Sequence, residues 1–575
     1  MSTAVHRALT CDDVLDEIFS HLRFEITCDI DQFTYIDAGL SRKALRSAAL
    51  VNKTLSYHAL NNLWWEIPSE SIALKVLPVF QAYRIDINYP EEIEVPDRWG
   101  NEEESYVSIP CHCYLHSASS QERQLINGEI LTQDLDRLRQ YTTRVRSVRI
   151  VEEAQPDVRL PVIQYISAQL GGSLFPNLVR LEWNAANVLS LTANVGRVLL
   201  CMVGSNLRTL LLYPPPCFSE RFEAFFYLQL SNIVPVVAVG SQRIQEVELA
   251  NLSWDEGADK TWDPMCAVQF ISAFKHLKTV RAKLHYFNNA VLSVLLSLPY
   301  LAILQLFTNT DEDDRNILSR GMQGCFRSLH TLDVQLMHSV TMTLFQTCEW
   351  PALRVLHTSF LDLNYGPCLI DAFLEVVAAA TSQSLTELDV FGHCDCDIPL
   401  APFFSPLRSM HLLRSIEIVV PLSSTCAGLH DIALNWPSLE TFKLKTSSQP
   451  NHNSLQILLE VAAACPRLRM VGLDSLGLLP SLHLHLHGLS THNLQRIETS
   501  YLEWIDWPSD DIKYLAAQIE PIFPKLELQK MKCLAQERGS GRRNHWLSFI
   551  NEMNRIRQTK TLRLPAASDK ALASA

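Results

Sequence analysis

The stretch Ala290 to Phe307 reads AVLSVLLSLPYLAILQLF and carries no charged residue. Eighteen such residues are long enough to cross a bilayer as a helix. Pro299 divides the run: Val291, Leu292 and Leu295 before it fall at helical spacing, whereas Leu301, Leu304 and Leu306 after it follow a Leu-x-x-Leu-x-Leu pattern that ends in strand-like alternation. A proline at that point stops a helix and turns the chain into a strand. Helix, turn and strand therefore explain the run better than a membrane span.

Working outward, the same pattern, with apolar substitutions allowed, starts at Val145, Leu178, Leu207, Ile244, Leu277, Leu301, Leu329, Leu353, Leu385, Leu413, Leu439, Leu468 and Leu494, with a weaker copy at Leu526. Intervals between the thirteen clear copies run from 24 to 37 residues and average about 29, the upper end of leucine-rich-repeat length. Pro176, Pro299, Pro351, Pro437, Pro466 and Pro524 each stand two residues before the first leucine. Helical stretches such as Asp371 to Ala380 and Asn453 to Cys465 lie between copies, with Asp371 and Asn453 as expected N-caps. The predicted fold is an α/β solenoid: a small all-α N-terminal domain, then a curved leucine-rich-repeat array with a parallel sheet on its concave face. Polar positions of the motif should face out of that sheet and bind a target. They include Arg180, Glu182, Arg208, Glu246, Glu248, Asp333, Arg354, Glu387 and Asp389, with Lys278, His330, Glu440 and Lys443. Their mixed charge suits a protein surface more than a polyanion.

Upstream, CDDVLDEIFSHL at Cys11 to Leu22 places Val14, Leu15, Ile18, Phe19 and Leu22 on one helical stripe. Thr10 and Asp13 have capping-box spacing, and Asp12 and Asp13 suit the first turn. ALRSAALVNKTLSYHALNNLWWEI, Ala44 to Ile67, continues the apolar pattern, with a break expected around Ser56. So much apolar surface on short helices implies a partner. The Ile-Phe-x-x-Leu helix, the run ending Leu45 to Val51, and Ala59-Leu60-x-x-Leu63-Trp64 resemble the F-box of mushroom-type (basidiomycete) fungi. Arg144-Val-Arg-Ser147 matches a further segment of that family. Two features depart from it: Leu9-Thr10 stands where the family has Leu-Pro, and Arg23 to Ser41 is an insertion expected to loop out.

That resemblance implies a substrate-recognition subunit of an SCF-type E3 ubiquitin ligase, binding a Skp-family adaptor and through it a cullin. The residues it assigns to adaptor contact are Leu9, Val14, Leu15, Ile18, Phe19, Leu22, Leu45, Ala48, Val51, Leu55 and Trp64. The alternative is a leucine-rich-repeat interaction scaffold uncoupled from the ligase, with the helices kept as a cap.

The domain plan is 1–70 as the F-box-like module with its insertion at 23–41, 71–124 as an acidic linker, 125–538 as the solenoid, and 539–575 as a basic, partly disordered tail. Asp86 to Glu104 holds eight acidic residues and one arginine, and Lys525 to Arg563 holds ten Lys or Arg against three Glu. A formal charge of -13 over 575 residues argues against nucleic-acid binding. Fifteen cysteines without dense, even spacing, and an N-terminus without an apolar signal core, point to the cytoplasm or nucleus and to no membrane.

Three clusters raise metal chemistry: Cys111, His112, Cys113 and His116; His393, Cys394 and Cys396; and His483, His485 and His487. None has paired zinc-ligand spacing. Phosphate-loop, zincin and nucleophile-elbow motifs are absent. The sequence asks for no catalysis, cofactor or metal.

Overall fold

The computed structural model describes residues 11–22, 32–67, 70–85, 121–126, 129–151, 159–184, 195–213, 234–249, 262–308, 318, 323–360, 368–392, 403–420, 429–445, 454–475, 492–501, 509–529 and 543–563. The chain divides into two compact units, Met1–Lys260 and Thr261–Ala575.

The first unit opens with α1 (Asp12–Ser20), α2 (Gln32–Ala49) and α3 (Lys53–Leu63). The start of α1 differs from the expected capping box. Cys11 is the N-cap and offers no side-chain bond, while Asp12 and Asp13 occupy the first turn. The expected break around Ser56 lies earlier, because Asn52 caps α3 by accepting from the Leu55 N–H at 2.8 Å. The insertion is not simply looped out: residues from Gln32 onward form the start of α2.

Among the described residues five parallel strands follow in sequence order, β1 (Glu66–Ile67), β2 (Ser147–Val151), β3 (Arg180–Asn184), β4 (Thr209–Tyr213) and β5 (Glu246–Leu249). Helices α4 (Glu70–Leu74), α5 (Thr132–Thr142), α6 (Arg159–Leu170) and α7 (Val195–Met202) lie between them. The stretch expected as an acidic linker contains α4 and an antiparallel strand pair, Phe80–Ile85 with Gln121–Ile126. Its acidic core, 86–120, lies outside the described residues.

Among the described residues the second unit contributes nine parallel strands to one sheet, again in sequence order. They are β6 (Thr279–Leu284), β7 (Ile303–Thr308), β8 (Thr331–Gln335), β9 (Val355–Phe360), β10 (Glu387–Gly392), β11 (Ser415–Val419), β12 (Thr441–Lys445), β13 (Met470–Ser475) and β14 (Arg496–Tyr501). Its helices include α8 (Pro264–Ser272), α9 (Asn289–Leu296), α10 (His338–Thr347), α11 (Cys368–Thr381), α12 (Leu429–Ala433), α13 (Ser454–Ala464), α14 (Ser509–Ile522) and α15 (Arg543–Arg563).

Each of the thirteen clear motif copies supplies a strand that begins two residues after its first apolar residue. The reason is visible in Leu385, Leu388 and Val390. All three are fully buried, and Glu387 and Asp389 between them point the other way. Alternation buries one strand face against the helices, where Phe360 of β9 meets Phe373 of α11 with ring centroids 4.9 Å apart. Each fully buried leucine contributes about 1.5–3 kcal/mol, and neighbouring repeats share that burial. Aromatic residues before the repeat prolines complete the core. Trp436 is fully buried and its indole N–H donates to the Leu407 carbonyl at 3.0 Å, tying one repeat to the preceding one.

The Ala290 to Phe307 stretch becomes α9, a turn and β7. No helix among the described residues is long and apolar enough to cross a membrane. The weaker copy at Leu526 forms no strand; Leu526 and Leu528 are buried, and one backbone bond, Glu527 N–H to the Gln495 carbonyl at 2.7 Å, continues the ladder. Asp371 falls inside the first turn of α11, because that helix starts three residues earlier, at Cys368; Asn453 lies outside the described residues. Part of the segment expected as a basic tail is α15, which packs on α14 with Phe549, Ile550 and Met553 buried.

Candidate functional site

Two surfaces carry the residues singled out from the sequence. The first is the helical module. Leu15 and Phe19 of α1, Leu45 of α2 and Ala59 of α3 form its buried core, with Leu22, Ala48, Ala49, Leu55 and Leu63 packed around them. Val14 and Ile18, each one residue before a core position, lie about 100° round α1 from Leu15 and Phe19, at the edge of the apolar stripe, where they are 37% and 45% exposed. Leu50 and Val51, in the turn after α2, are 87% and 67% exposed.

The eleven residues assigned to adaptor contact are thus sorted by packing. Leu15, Phe19 and Leu45 are core residues, and a partner reaches them only if the module opens. Leu22, Ala48 and Leu55 flank that core. Trp64 stacks on Tyr141 of α5 at 4.8 Å. Val14, Ile18 and Val51 present apolar surface to solvent. Leu9 lies outside the described residues.

His58 is the residue the sequence reading overlooked. It is buried on α3 and its two ring nitrogens reach α1, Nδ1 to Asp16 Oδ1 at 2.6 Å and Nε2 to Asp12 Oδ1 at 3.2 Å. A helical wheel of α3 places His58 beside Leu55, Ala59 and Asn62, so the signal was the position of a polar residue on an inward face.

The second surface is the strand face opposite the helices. In the first unit, β-sheet register aligns Arg149, Glu182, Leu211 and Glu248 across four strands. Glu182 is buried; Arg149 Nη2 donates to its Oε2 at 3.1 Å, and Arg149 Nε lies 2.7 Å from Oε1 in ion-pair contact without hydrogen-bond alignment. Glu248 is buried too and accepts from the Tyr213 hydroxyl at 3.2 Å. These two expected target contacts are internal here. Arg180 and Arg208 remain open, and Glu246 accepts from the Thr209 hydroxyl at 3.1 Å.

In the second unit the equivalent row runs Arg281, Gln305, Asp333, His357, Asp389, Glu417, Lys443, Gly472 and Glu498. Its members hold one another. Arg281 Nε donates to Gln305 Oε1 at 2.6 Å, Gln305 Nε2 to Asp333 Oδ2 at 2.9 Å, and Lys443 Nζ to Glu417 Oε2 at 2.9 Å. His357 Nδ1 lies 2.6 Å from Asp389 Oδ2. That hydrogen bond holds the imidazole above its ordinary range, against the opposing effect of burial. Burial pushes the Asp333 carboxyl up, against the attraction of His357 and the Gln305 hydrogen bond. Gly472 makes room for this row, since a Cβ there would stand 2.8 Å from Lys443 Cγ. Exposed Arg354 and Glu387 flank it, and Phe391 adds exposed aromatic surface.

No family model matches the chain, and no curated protein matches it. Among solved structures it is similar to an internalin (inlF) from Listeria monocytogenes str. 4b F2365, at 12% identity over 67% of this chain and 87% of that one, with a TM-score of 0.33. It is also similar to TLR13 in a TLR13–ssRNA13 complex, at 12% identity over 68% of this chain and 63% of that one, with a TM-score of 0.26.

The three clusters weighed for metal, at 111–116, 393–396 and 483–487, lie outside the described residues. Among the described residues no group of three His, Cys, Asp or Glu side chains is placed to hold a metal ion. Burial pushes the Cys348 thiol up to about 11 and the Cys465 thiol up to about 12, so both stay protonated at neutral pH and serve as core residues.

Proposed function

We propose that the chain is a substrate-recognition subunit of an SCF-type E3 ubiquitin ligase, in which the helical module binds a Skp-family adaptor and the repeat array holds a target protein. The observation that carries this reading is the division of labour within the module. Its core is closed by Leu15, Phe19, Leu45 and Ala59, yet Val14, Ile18, Leu50 and Val51 stay exposed on short helices and the turn between them. Apolar side chains left in water after a core is complete are the raw material of an interface. Ubiquitin transfer would be accelerated by proximity, the array raising the effective concentration of target lysines beside enzymes recruited through the cullin.

A second reading, a scaffold whose helices only cap the array, draws on a different observation. β1 follows α3 directly and pairs in parallel with β2, and the Trp65 carbonyl accepts from the N–H groups of Arg146 and Ser147, both at 2.9 Å. The module is thereby built into the edge of the sheet.

Co-purification of the full chain on a tagged Skp-family adaptor separates the two. Ile18→Asp with Val51→Asp is expected to abolish capture while thermal unfolding stays within a few degrees of wild type, because both side chains already face water. Capture that survives the double change rejects the adaptor face, and absence of capture by the folded wild-type chain moves the scaffold reading to first place. Phe19→Asp is unsuitable for this test, since it buries a charge in the module core and removes the fold along with the surface.

A further inference from the structure

Arg144 and Arg146, both in the Arg-Val-Arg-Ser segment, line a cavity of about 570 Å3 within the first unit, between α3 and the end of α5. The volume is that of a small-molecule site. Arg144 lies over the rings of Tyr57 and Tyr141, 5.9 and 5.8 Å from their centroids, and Arg146 lies 5.8 Å from that of Trp65. Aromatic faces attract the guanidiniums without neutralising them. Among the described residues neither arginine has a carboxylate partner. Arg144 Nη1 is buried with no hydrogen-bond partner there, and Arg146 Nη1 reaches only the backbone carbonyls of Thr143 and Val145, at 2.6 and 3.2 Å. The one carboxylate lining the cavity, Asp16, is engaged by His58 at 2.6 Å. Two guanidiniums that line one cavity without a carboxylate partner form a receptor for a tetrahedral oxyanion. The Asn61 amide, which also lines the cavity, suits a hydroxyl beside it.

We propose that this cavity binds a small, hydroxyl-bearing phosphate ester, with Arg144 and Arg146 clamping the phosphate. Bound there, the ligand would touch α3 and the strand-entry segment before β2 together, stiffening the joint between the helical module and the first repeats. The site is independent of the adaptor reading.

The test is calorimetric titration of the full chain with glucose 6-phosphate, with inorganic phosphate, and with glucose as the uncharged control. Saturable binding of the ester that weakens with added salt, with glucose silent, is the expected result. Arg144→Gln should weaken binding by about tenfold or more, as loss of a charge-assisted contact does, while Arg137→Gln, on the exposed side of α5, leaves it unchanged. Arg144→Lys keeps the charge in a fold-compatible side chain and should retain part of the affinity. The proposal is overturned if both phosphates are silent, if the Arg144→Gln, Arg146→Gln double variant is folded and binds as wild type, or if a phosphoserine peptide binds where the small ester does not.

Discussion

The strand faces of the two units start from one repeat chemistry and end in different environments. In the first unit the side chains of Arg149 and Glu182 are 19% and 8% exposed, and Leu211, Tyr213 and Glu248 are buried with them. In the second unit the corresponding row is more open, with His357 36%, Lys443 23%, Asp389 17% and Glu417 16% exposed, and Phe391 reaches solvent beside it. A polar residue at an outward motif position is therefore not by itself a recognition residue. Glu182 and Glu248 hold the first face together, and the accessible polar positions of the motif lie on the second unit and at Arg180 and Arg208.

If that contrast is right, truncating a charge on the first face costs more than on the second. Glu182→Ala leaves Arg149 largely buried without its carboxylate, and the expected loss is about 3 kcal/mol, read as a lower urea midpoint of the transition reporting the first unit. A loss no larger than that of an ordinary surface ion pair, about 0–1 kcal/mol, would erase the distinction. Gly472→Ala probes the second face at its tightest point. The added Cβ stands 2.8 Å from Lys443 Cγ and 3.2 Å from its Cβ, the near end of the lysine chain, so Lys443 shifts from Glu417 at a cost of about 1–3 kcal/mol. In a Lys443→Ala background, where only the 3.2 Å approach to Cβ remains, the same change should cost less, and a double-mutant cycle measures that coupling. Additive costs would show that Gly472 serves some purpose other than clearing Lys443.

The smallest expected effect depends on pH. His357 is held above the ordinary imidazole value of 6.5 by Asp389. Its contribution to stability is fully present below that value and is lost as pH rises through the raised folded-state value. His492, held below 6.5 by burial, works in the opposite sense, favouring the fold above 6.5 and losing that contribution as pH falls. Melting temperatures of wild type and His357→Gln should therefore differ most in mild acid and converge as pH rises. A difference that grows toward alkaline pH contradicts the assignment of the proton to His357.

The array was legible in the sequence because its signal is local. A leucine pattern, a proline two residues before it and a period of about 29 residues fix where each strand starts, since alternation along a strand decides which side chains are buried before any neighbour is known. The helices of the N-terminal module were legible for the same reason. Their caps and breaks were less so: Asn52 rather than Ser56 marks the start of α3, because a cap depends on the backbone of its own turn and not on hydrophobic spacing.

What the sequence could not settle is which side of an apolar stripe is core. Ile18 and Phe19 are adjacent and similar in character, yet Phe19 is buried and Ile18 is exposed, because α2 and α3 cover one side of α1 only. Arg144 and Arg146 were a motif without a shared cavity until α3 and the turn after it brought Tyr57 and Trp65 against them. The chain by itself determined the repeats, through periodicity and local backbone chemistry. Only the tertiary structure decided which charges are paired, which apolar residues face water and which arginines share a cavity, because each of those depends on neighbours distant in sequence.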